Sequence, residues 1–163
     1  MKPVKEHLSD TSVDFWSWLF PITYLMHIAE EYWGGDGYPA YLLKLRGVHL
    51  SPTRFLIAQT IGVVLVLVGI YLSRRFKFLN MYLVILGAVV LVNGLTHMIT
   101  SFLHLSYGPG LITSILIWMP LGIATLVRFK GSLSDRKYWL AVLIGLGING
   151  VVALLTLKGG RIV

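Results

Sequence analysis

Residues 61–71 read IGVVLVLVGIY and contain no charged side chain. They are the centre of a longer apolar block, residues 52–73, which follows the pair Ser51 and Pro52. A serine followed by a proline is typical of a helix start, and about 20 apolar residues are needed to cross the hydrocarbon of a bilayer. This stretch therefore predicts a transmembrane helix.

Four more apolar blocks of similar length accompany it. They cover residues 15–33, 78–103, 110–129 and 138–157. Of the 163 residues 56% are hydrophobic and 13% charged, whereas roughly a quarter are charged in soluble domains. We predict an all-α fold, an integral membrane bundle of five transmembrane helices. It forms a single domain, residues 1–163, with the lipid bilayer as partner, and Pro120 predicts a kink in the fourth helix.

The basic residues indicate how the bundle is oriented. The net charge is +7, but the 14 Lys and Arg residues lie in short clusters between the apolar blocks, which suits lipid head groups and argues against nucleic acid. Nine lie on one side of the bundle and five on the other. The nine are Lys2, Lys5, Arg74, Arg75, Lys77, Arg128, Lys130, Arg136 and Lys137. We therefore expect a cytoplasmic N-terminus and an outside C-terminus.

The chain contains no cysteine. This excludes disulfides, thiolate catalysis and zinc–thiolate sites together. No P-loop or dinucleotide-binding fingerprint follows a strand pattern either.

Three ionisable side chains lie near the end of the first predicted helix. On an α-helix Glu30 falls about 60° to one side of His27 and Glu31 about 40° to the other, so the three share one face. A charged side chain at the bilayer centre costs about 2.5 to 3.5 kcal/mol on insertion scales. This cost favours a functional role for the cluster.

The third predicted helix carries a second polar stripe. Its members, at i, i+4, i+8 and i+11, are Asn93, His97, Ser101 and His104. The first and third helices run the same way through the membrane, so both polar clusters lie at similar depth and are expected to share a pocket. The turn at residues 107–110 emerges on the same side, where its glycines allow the backbone to roof the pocket.

Three motifs follow one another in this region. They read His27-Ile28-Ala29-Glu30-Glu31, Asn93-Gly94-Leu95-Thr96-His97 and Tyr107-Gly108-Pro109-Gly110. Through the fourth predicted helix, the chain resembles the HXXEE family of small bacterial and archaeal membrane proteins, defined by H-x-x-E-E, N-x-x-x-H and Y-x-P-G motifs. The resemblance implies a membrane enzyme in a prokaryotic cell membrane, and it implies no particular reaction.

A metal site is the first hypothesis for the cluster. Two imidazoles and one carboxylate, from His27, His97 and either Glu30 or Glu31, form a ligand set that leaves a coordination position open, with His104 as a candidate fourth ligand. Zinc is the first choice, iron or manganese the next, and heme is less favoured because carboxylates suit a harder ion. The second glutamate is then a candidate general base, and Asn93 a candidate for orienting a ligand or substrate.

The corresponding function is metal-assisted hydrolysis or acid/base chemistry on a lipid-soluble or amphiphilic substrate. Backbone of Tyr107, Gly108, Pro109 and Gly110 is the candidate substrate-binding element. Two alternatives stay open: polar contacts that only join two helices, and a non-enzymatic protein that binds or transports a ligand, an ion or protons. The predicted second and fifth helices carry few polar residues, which favours an enzyme over a transporter. Self-association into a homo-oligomer stays open as well.

Overall fold

The computed structural model describes residues 10–159, with side chains from Thr11 to Thr156. This part of the chain is helical and contains no strand. The helices are α1 (Asp10–Trp33), α2 (Tyr38–Arg46), α3 (Pro52–Arg75), α4 (Leu79–Leu103), α5 (Leu111–Lys130) and α6 (Asp135–Gly159). Lys2, Lys5, His7 and Arg161 lie outside the described residues.

Four helices are long and apolar enough to cross a membrane. They are Pro52–Arg75, Leu79–Leu103, Leu111–Lys130 and Asp135–Thr156. The prediction was five transmembrane helices, whereas the described chain has six helices, of which these four have the length and apolarity of a span. The additional helix is α2, which begins after Gly37 with Pro39 in its first turn and ends at Gly47 in the left-handed conformation. The first predicted span, α1, is not among the four, since acidic residues near its ends lower its apolar character.

The central helix is α4, which contacts α1, α3, α5 and α6. Its buried residues from Leu83 to Val90 form the core with Phe20 of α1 and Phe129 of α5. Small residues allow the helices to approach closely: a Cβ added to Gly145 of α6 would lie 2.7 Å from the Ala88 Cβ. Close packing of this kind is what joins helices inside lipid, where no water is available to drive them together.

Contacts at the two ends of α1 fix the helix directions. Near its start, Asp14 pairs with Arg74 at the end of α3 and Trp16 contacts Arg128 at the end of α5. Near its end, His27 lies against Thr113 at the start of α5. Thus α1 is antiparallel to both α3 and α5. Since α4 lies between α3 and α5 in the chain, α1 and α4 run the same way.

The helix α5 is α-helical except at residues Ser114–Trp118, which form a π-helical turn. The turn precedes Pro120, where the sequence predicts a kink. Proline has no N–H for the regular i to i−4 hydrogen bond, and its ring crowds the preceding turn, so an irregular turn at this place has a direct cause.

Candidate metal centre

Three predicted side chains meet between α1 and α4. Glu31 Oε1 lies 3.4 Å from His97 Nε2 and 3.7 Å from His27 Nε2. One ligand atom from each of the three side chains can be chosen so that all lie within 4.8 Å of one another. The side chains are His27 at 1% exposure, Glu31 at 4% and the half-buried His97, so the group, here called the trio, is withdrawn from solvent.

The two imidazoles are held by ring contacts on several sides. His27 and His97 meet edge to face, with centroids 5.0 Å apart. Trp118 of α5 stacks on the His27 ring at 3.7 Å. The second oxygen of Glu31 accepts a 2.7 Å hydrogen bond from Gln59 Nε2, and Tyr24 holds the Gln59 amide through a 2.8 Å bond to its oxygen. The trio is therefore oriented by groups of α1, α3 and α5.

Glu30, next to Glu31, points away from the trio. Its Oε1 accepts hydrogen bonds from the Tyr107 hydroxyl and the Ile112 N–H, both at 2.8 Å. Its Oε2 accepts from the Thr113 N–H at 2.6 Å and the Thr113 hydroxyl at 2.5 Å. Two of these donors are free backbone N–H groups at the start of α5, a favourable place for an anion. Because these four donors hold both oxygens of Glu30, its carboxylate lies outside the trio, and its role as a general base stays a prediction.

Counting protons then fixes the tautomer of His27. The Thr113 hydroxyl has one hydrogen, and it donates that hydrogen to the Glu30 carboxylate. Its oxygen is also 2.7 Å from His27 Nδ1, so at this contact it must accept from the Nδ1–H. In a neutral imidazole the other nitrogen, Nε2, then carries a lone pair. This Nε2 is buried, faces Glu31 and has no hydrogen-bond partner among the described residues.

The π-helical turn allows α5 to hold His27 from two sides. Thr113 binds Nδ1 and Trp118 stacks on the ring, although they are five residues apart. On a regular α-helix two such residues point about 140° apart. The wider turn takes up an extra residue and brings them nearer to one face, in keeping with the frequent occurrence of such turns at functional sites.

The turn at residues 107–110 roofs the trio, as the sequence predicts. Gly110 has φ +91, and a Cβ placed on it would lie 2.8 Å from Cε1 of both His27 and His97. The Gly108 N–H donates to Ser101 Oγ at 3.1 Å. Gly108, Pro109 and Gly110 are buried. Tyr107 holds Glu30, and burial, with this hydrogen bond, raises the Tyr107 pKa to about 12, so the phenol remains a donor at neutral pH.

Two other candidates lie at different distances from the trio. Asn93 is one turn before His97 on α4, half-buried, and its Oδ1 has no hydrogen-bond partner among the described residues. His104 is the exposed residue that follows α4, about 10 Å further along the helix axis than His97. The structure does not bring His104 to the trio, so the expectation of a fourth ligand from this residue is corrected.

The sequence did not predict most of the side chains that surround the trio. Those not predicted are Tyr24, Tyr38, Gln59, Thr113 and Trp118. Gln59 could have been found from the sequence, since it is an amide in an otherwise apolar span. Tyr38, whose ring lies 6.0 Å from His97, could not. Burial, with the charge of Glu31, raises the Tyr38 pKa to about 12.

Comparison of the chain with curated proteins and with solved structures gave no match. The sequence profile of one protein family does match, over residues 18–125, which is more than half of the chain. These residues include His27, Glu31 and His97. The family is described as proteins of unknown function with an HXXEE motif. On this match the chain belongs to the HXXEE family, and its sequence from His27 to Glu31 fits the H-x-x-E-E pattern of the family's description.

Proposed function

We propose that this protein is an integral membrane enzyme in which His27, Glu31 and His97 hold one divalent cation. Zinc is the first choice and iron or manganese the next. The substrate is a lipid-soluble or amphiphilic molecule, and the reaction is a metal-assisted hydrolysis.

The unpaired Nε2 of His27 carries this proposal. A buried polar atom without a partner is costly, and native structures contain few of them. Here the relay from Glu30 through Thr113 keeps the proton on the opposite nitrogen, so the lone pair faces a carboxylate and a second imidazole. Carboxylates that accept a hydrogen bond from the far side of a metal-binding histidine commonly orient its ring in this way.

The distances also suit a small cation. Zinc ligands lie about 2.0 to 2.2 Å from the ion, so the ligand atoms of a tetrahedral site are about 3.3 to 3.6 Å apart. Two separations in the trio are 3.4 and 3.7 Å. Three protein ligands leave a fourth position for water or substrate, the arrangement of catalytic rather than structural zinc sites.

Each residue has a role in this proposal. A divalent cation, when bound, supplies a Lewis acid that activates water and polarises a carbonyl group. Glu31 would hold the cation together with the two imidazoles, and because its carboxylate lies within the trio it is also the expected proton acceptor. Glu30 and Thr113 orient His27, and Asn93 is positioned one turn away to bind a polar group of the substrate through its free Oδ1.

Heme fits this arrangement poorly. The His27 and His97 rings touch edge to face, and Trp118 covers one face of His27. A Cβ on Gly110 would lie 2.8 Å from the Cε1 atom of each ring. A macrocycle has no place between two imidazoles packed in this way.

An apolar layer argues against transport through the bundle. Phe20 and Val90 lie seven residues before His27 and His97 on α1 and α4, and Leu121 lies eight residues after Thr113 on α5. The three are buried members of one apolar cluster, at 2%, 6% and 9% exposure. This layer separates the trio from the opposite end of the bundle, which favours a reaction site over a path across the bundle.

The proposal includes α1 as a fifth span in the inner membrane of a prokaryotic cell. Its polar end lies inside the bundle against α4 and α5, so the carboxylates that lower its hydropathy do not face lipid. The positive-inside rule then places the N-terminus in the cytoplasm and the trio toward the outer side.

Elemental analysis of the purified protein tests the metal. We expect about one zinc, iron or manganese per chain in the wild type, and loss of the metal in His27→Ala and Glu31→Gln. A wild type that is free of metal after purification and after incubation with each of the three ions would contradict the proposal.

The reaction class needs a second measurement. We expect the metal-loaded protein to hydrolyse nitrophenyl esters, faster as the acyl chain lengthens, and the two variants to be inactive. A loaded wild type without hydrolytic activity toward esters or amides would instead support the binding alternative.

A further inference from the structure

A groove on the lipid-facing side of α5 is lined by none of the trio residues. It has a volume of about 830 Å³ and is lined by an apolar stripe that includes Ile115, Met119 and Val127, spaced by four or eight residues on one face. One end is formed by Trp16 of α1 together with Arg128. Val127 is 72% and Ile115 43% exposed, so the groove is open to the surrounding lipid.

Trp16 and Arg128, at one end of the groove, are held by hydrogen bonds and by a cation–π contact. The Trp16 Nε1–H donates to the buried Thr125 hydroxyl at 2.8 Å, which fixes the indole ring. The Arg128 guanidinium lies over that ring, 5.0 Å from its centre, and one Nη2–H donates to Ser12 at 3.2 Å. A guanidinium has five N–H donors, so this bond leaves others for a ligand.

A second arginine at the same end of the bundle provides a contrast. Arg74 also lies over a tryptophan, Trp18, but it pairs with the Asp14 carboxylate at 3.1 Å. Arg128 forms no ion pair with a carboxylate of the described residues. Its charge is therefore available for an external anion, and guanidinium matches the geometry of a phosphate group well.

We propose that this groove binds one anionic phospholipid, with an acyl chain along α5 and the phosphate on Arg128. The distance from Ile115 to Arg128 is thirteen residues, about 20 Å along the helix. One leaflet contributes about 15 Å of hydrocarbon, half of the roughly 30 Å core, so an acyl chain from that leaflet covers about three quarters of this distance. The basic loops at the same membrane face, including Arg75, Lys77 and Lys130, favour anionic over neutral head groups.

Native mass spectrometry of the full chain in detergent tests the proposal. The protein is titrated with phosphatidylglycerol or with phosphatidylcholine of the same chains, and bound lipids are counted. We expect one phosphatidylglycerol to be retained by the wild type. Arg128→Gln should weaken its binding by about tenfold, and Arg128→Lys by less, because lysine keeps the charge without the bidentate fork.

Two further variants separate this site from general charge attraction. Ala124→Phe fills the groove without changing any charge, and it should also weaken lipid binding by about tenfold. Arg136→Gln removes an exposed charge outside the groove, and it should change binding by less than about twofold in physiological salt.

Equal effects of Arg128→Gln and Arg136→Gln, or full binding by Ala124→Phe, would overturn the proposal. If Arg128→Gln fails to fold, Ala124→Phe and Arg128→Lys still decide it. None of these residues touches the trio, so the outcome is independent of the metal content.

Discussion

The two halves of α4 differ in the side chains they carry and in the contacts they make. The packing half, residues 83–90, lies against α5 and α6 and is buried by apolar and small side chains. The polar half, residues 93–101, faces α1 and the roof and carries Asn93, His97 and Ser101. The comparison indicates that one half joins the helices by close packing, so the other is free to hold polar groups that contribute little to assembly.

The largest effect is expected from the polar half. His97→Ala removes one of the three proposed ligands, so metal content should fall from about one per chain to background, a loss of at least about 100-fold in affinity. His104→Ala is the matched control, because His104 is exposed and distant from the trio, and it should bind metal like the wild type. Elemental analysis of both variants checks this. Equal loss in the two would show that the histidines act nonspecifically.

Gly110→Ala tests the roof over the trio. Its Cβ would lie 2.8 Å from both imidazoles, so it should displace a ligand, abolish metal binding and destabilise the fold by about 2 to 5 kcal/mol through overpacking and positive φ together. Gly47→Ala is the control, since Gly47 has φ +64 and nothing within 4 Å of an added Cβ. It should cost about 1 to 2 kcal/mol and keep the metal. Metal retention by Gly110→Ala would contradict the proposed closeness of the roof.

Glu30→Gln tests the relay that orients His27. The amide NH2 of glutamine is a donor, so it cannot accept the hydrogen bonds that one carboxylate oxygen of Glu30 accepts. The relay should weaken, and metal affinity should fall by about 10 to 100-fold without complete loss. Thr113→Val should act similarly, and Thr113→Ser should restore affinity because it keeps the hydroxyl. The measurement is a metal titration of each variant, together with the visible spectrum of the cobalt-loaded protein. Wild-type affinity in Thr113→Val would rule out the relay.

The smallest effect is expected in the packing half. Gly145→Ala places a Cβ 2.7 Å from Ala88 Cβ and 2.8 Å from the Ile85 carbonyl oxygen, so overpacking should cost about 1 to 3 kcal/mol while the metal stays bound. Gly147→Ala, with nothing within 4 Å, should be neutral or slightly stabilising. The free energy of unfolding of both variants is measured in a denaturing detergent, and the metal content is measured on the folded proteins. Together they check whether the two halves are independent. Metal loss in Gly145→Ala would show that they are coupled.

Much of the helical arrangement was predictable because apolar blocks of sufficient length leave few other structures in lipid. The start of α3 after Ser51 is confirmed, since its hydroxyl accepts from the Arg54 N–H at 3.2 Å. Glycines allow close helix packing at Gly87 and Gly145, whereas Gly147 and Gly150 have no neighbour within 4 Å of an added Cβ. Hydropathy does not tell which face of a helix meets a neighbour.

The sequence alone determined that His27 and His97 would lie at one depth, because equal helix direction and equal distance from the helix end follow from chain order. It left the roles of Glu30 and Glu31 open. Only the tertiary structure separated them: the start of α5 holds Glu30 with two backbone N–H groups and the Thr113 hydroxyl, and Gln59 of α3 holds Glu31 beside the imidazoles. Adjacent carboxylates have the same chemistry, and only the donors that distant segments bring to each one decide which lies beside the imidazoles and which is held at the start of α5.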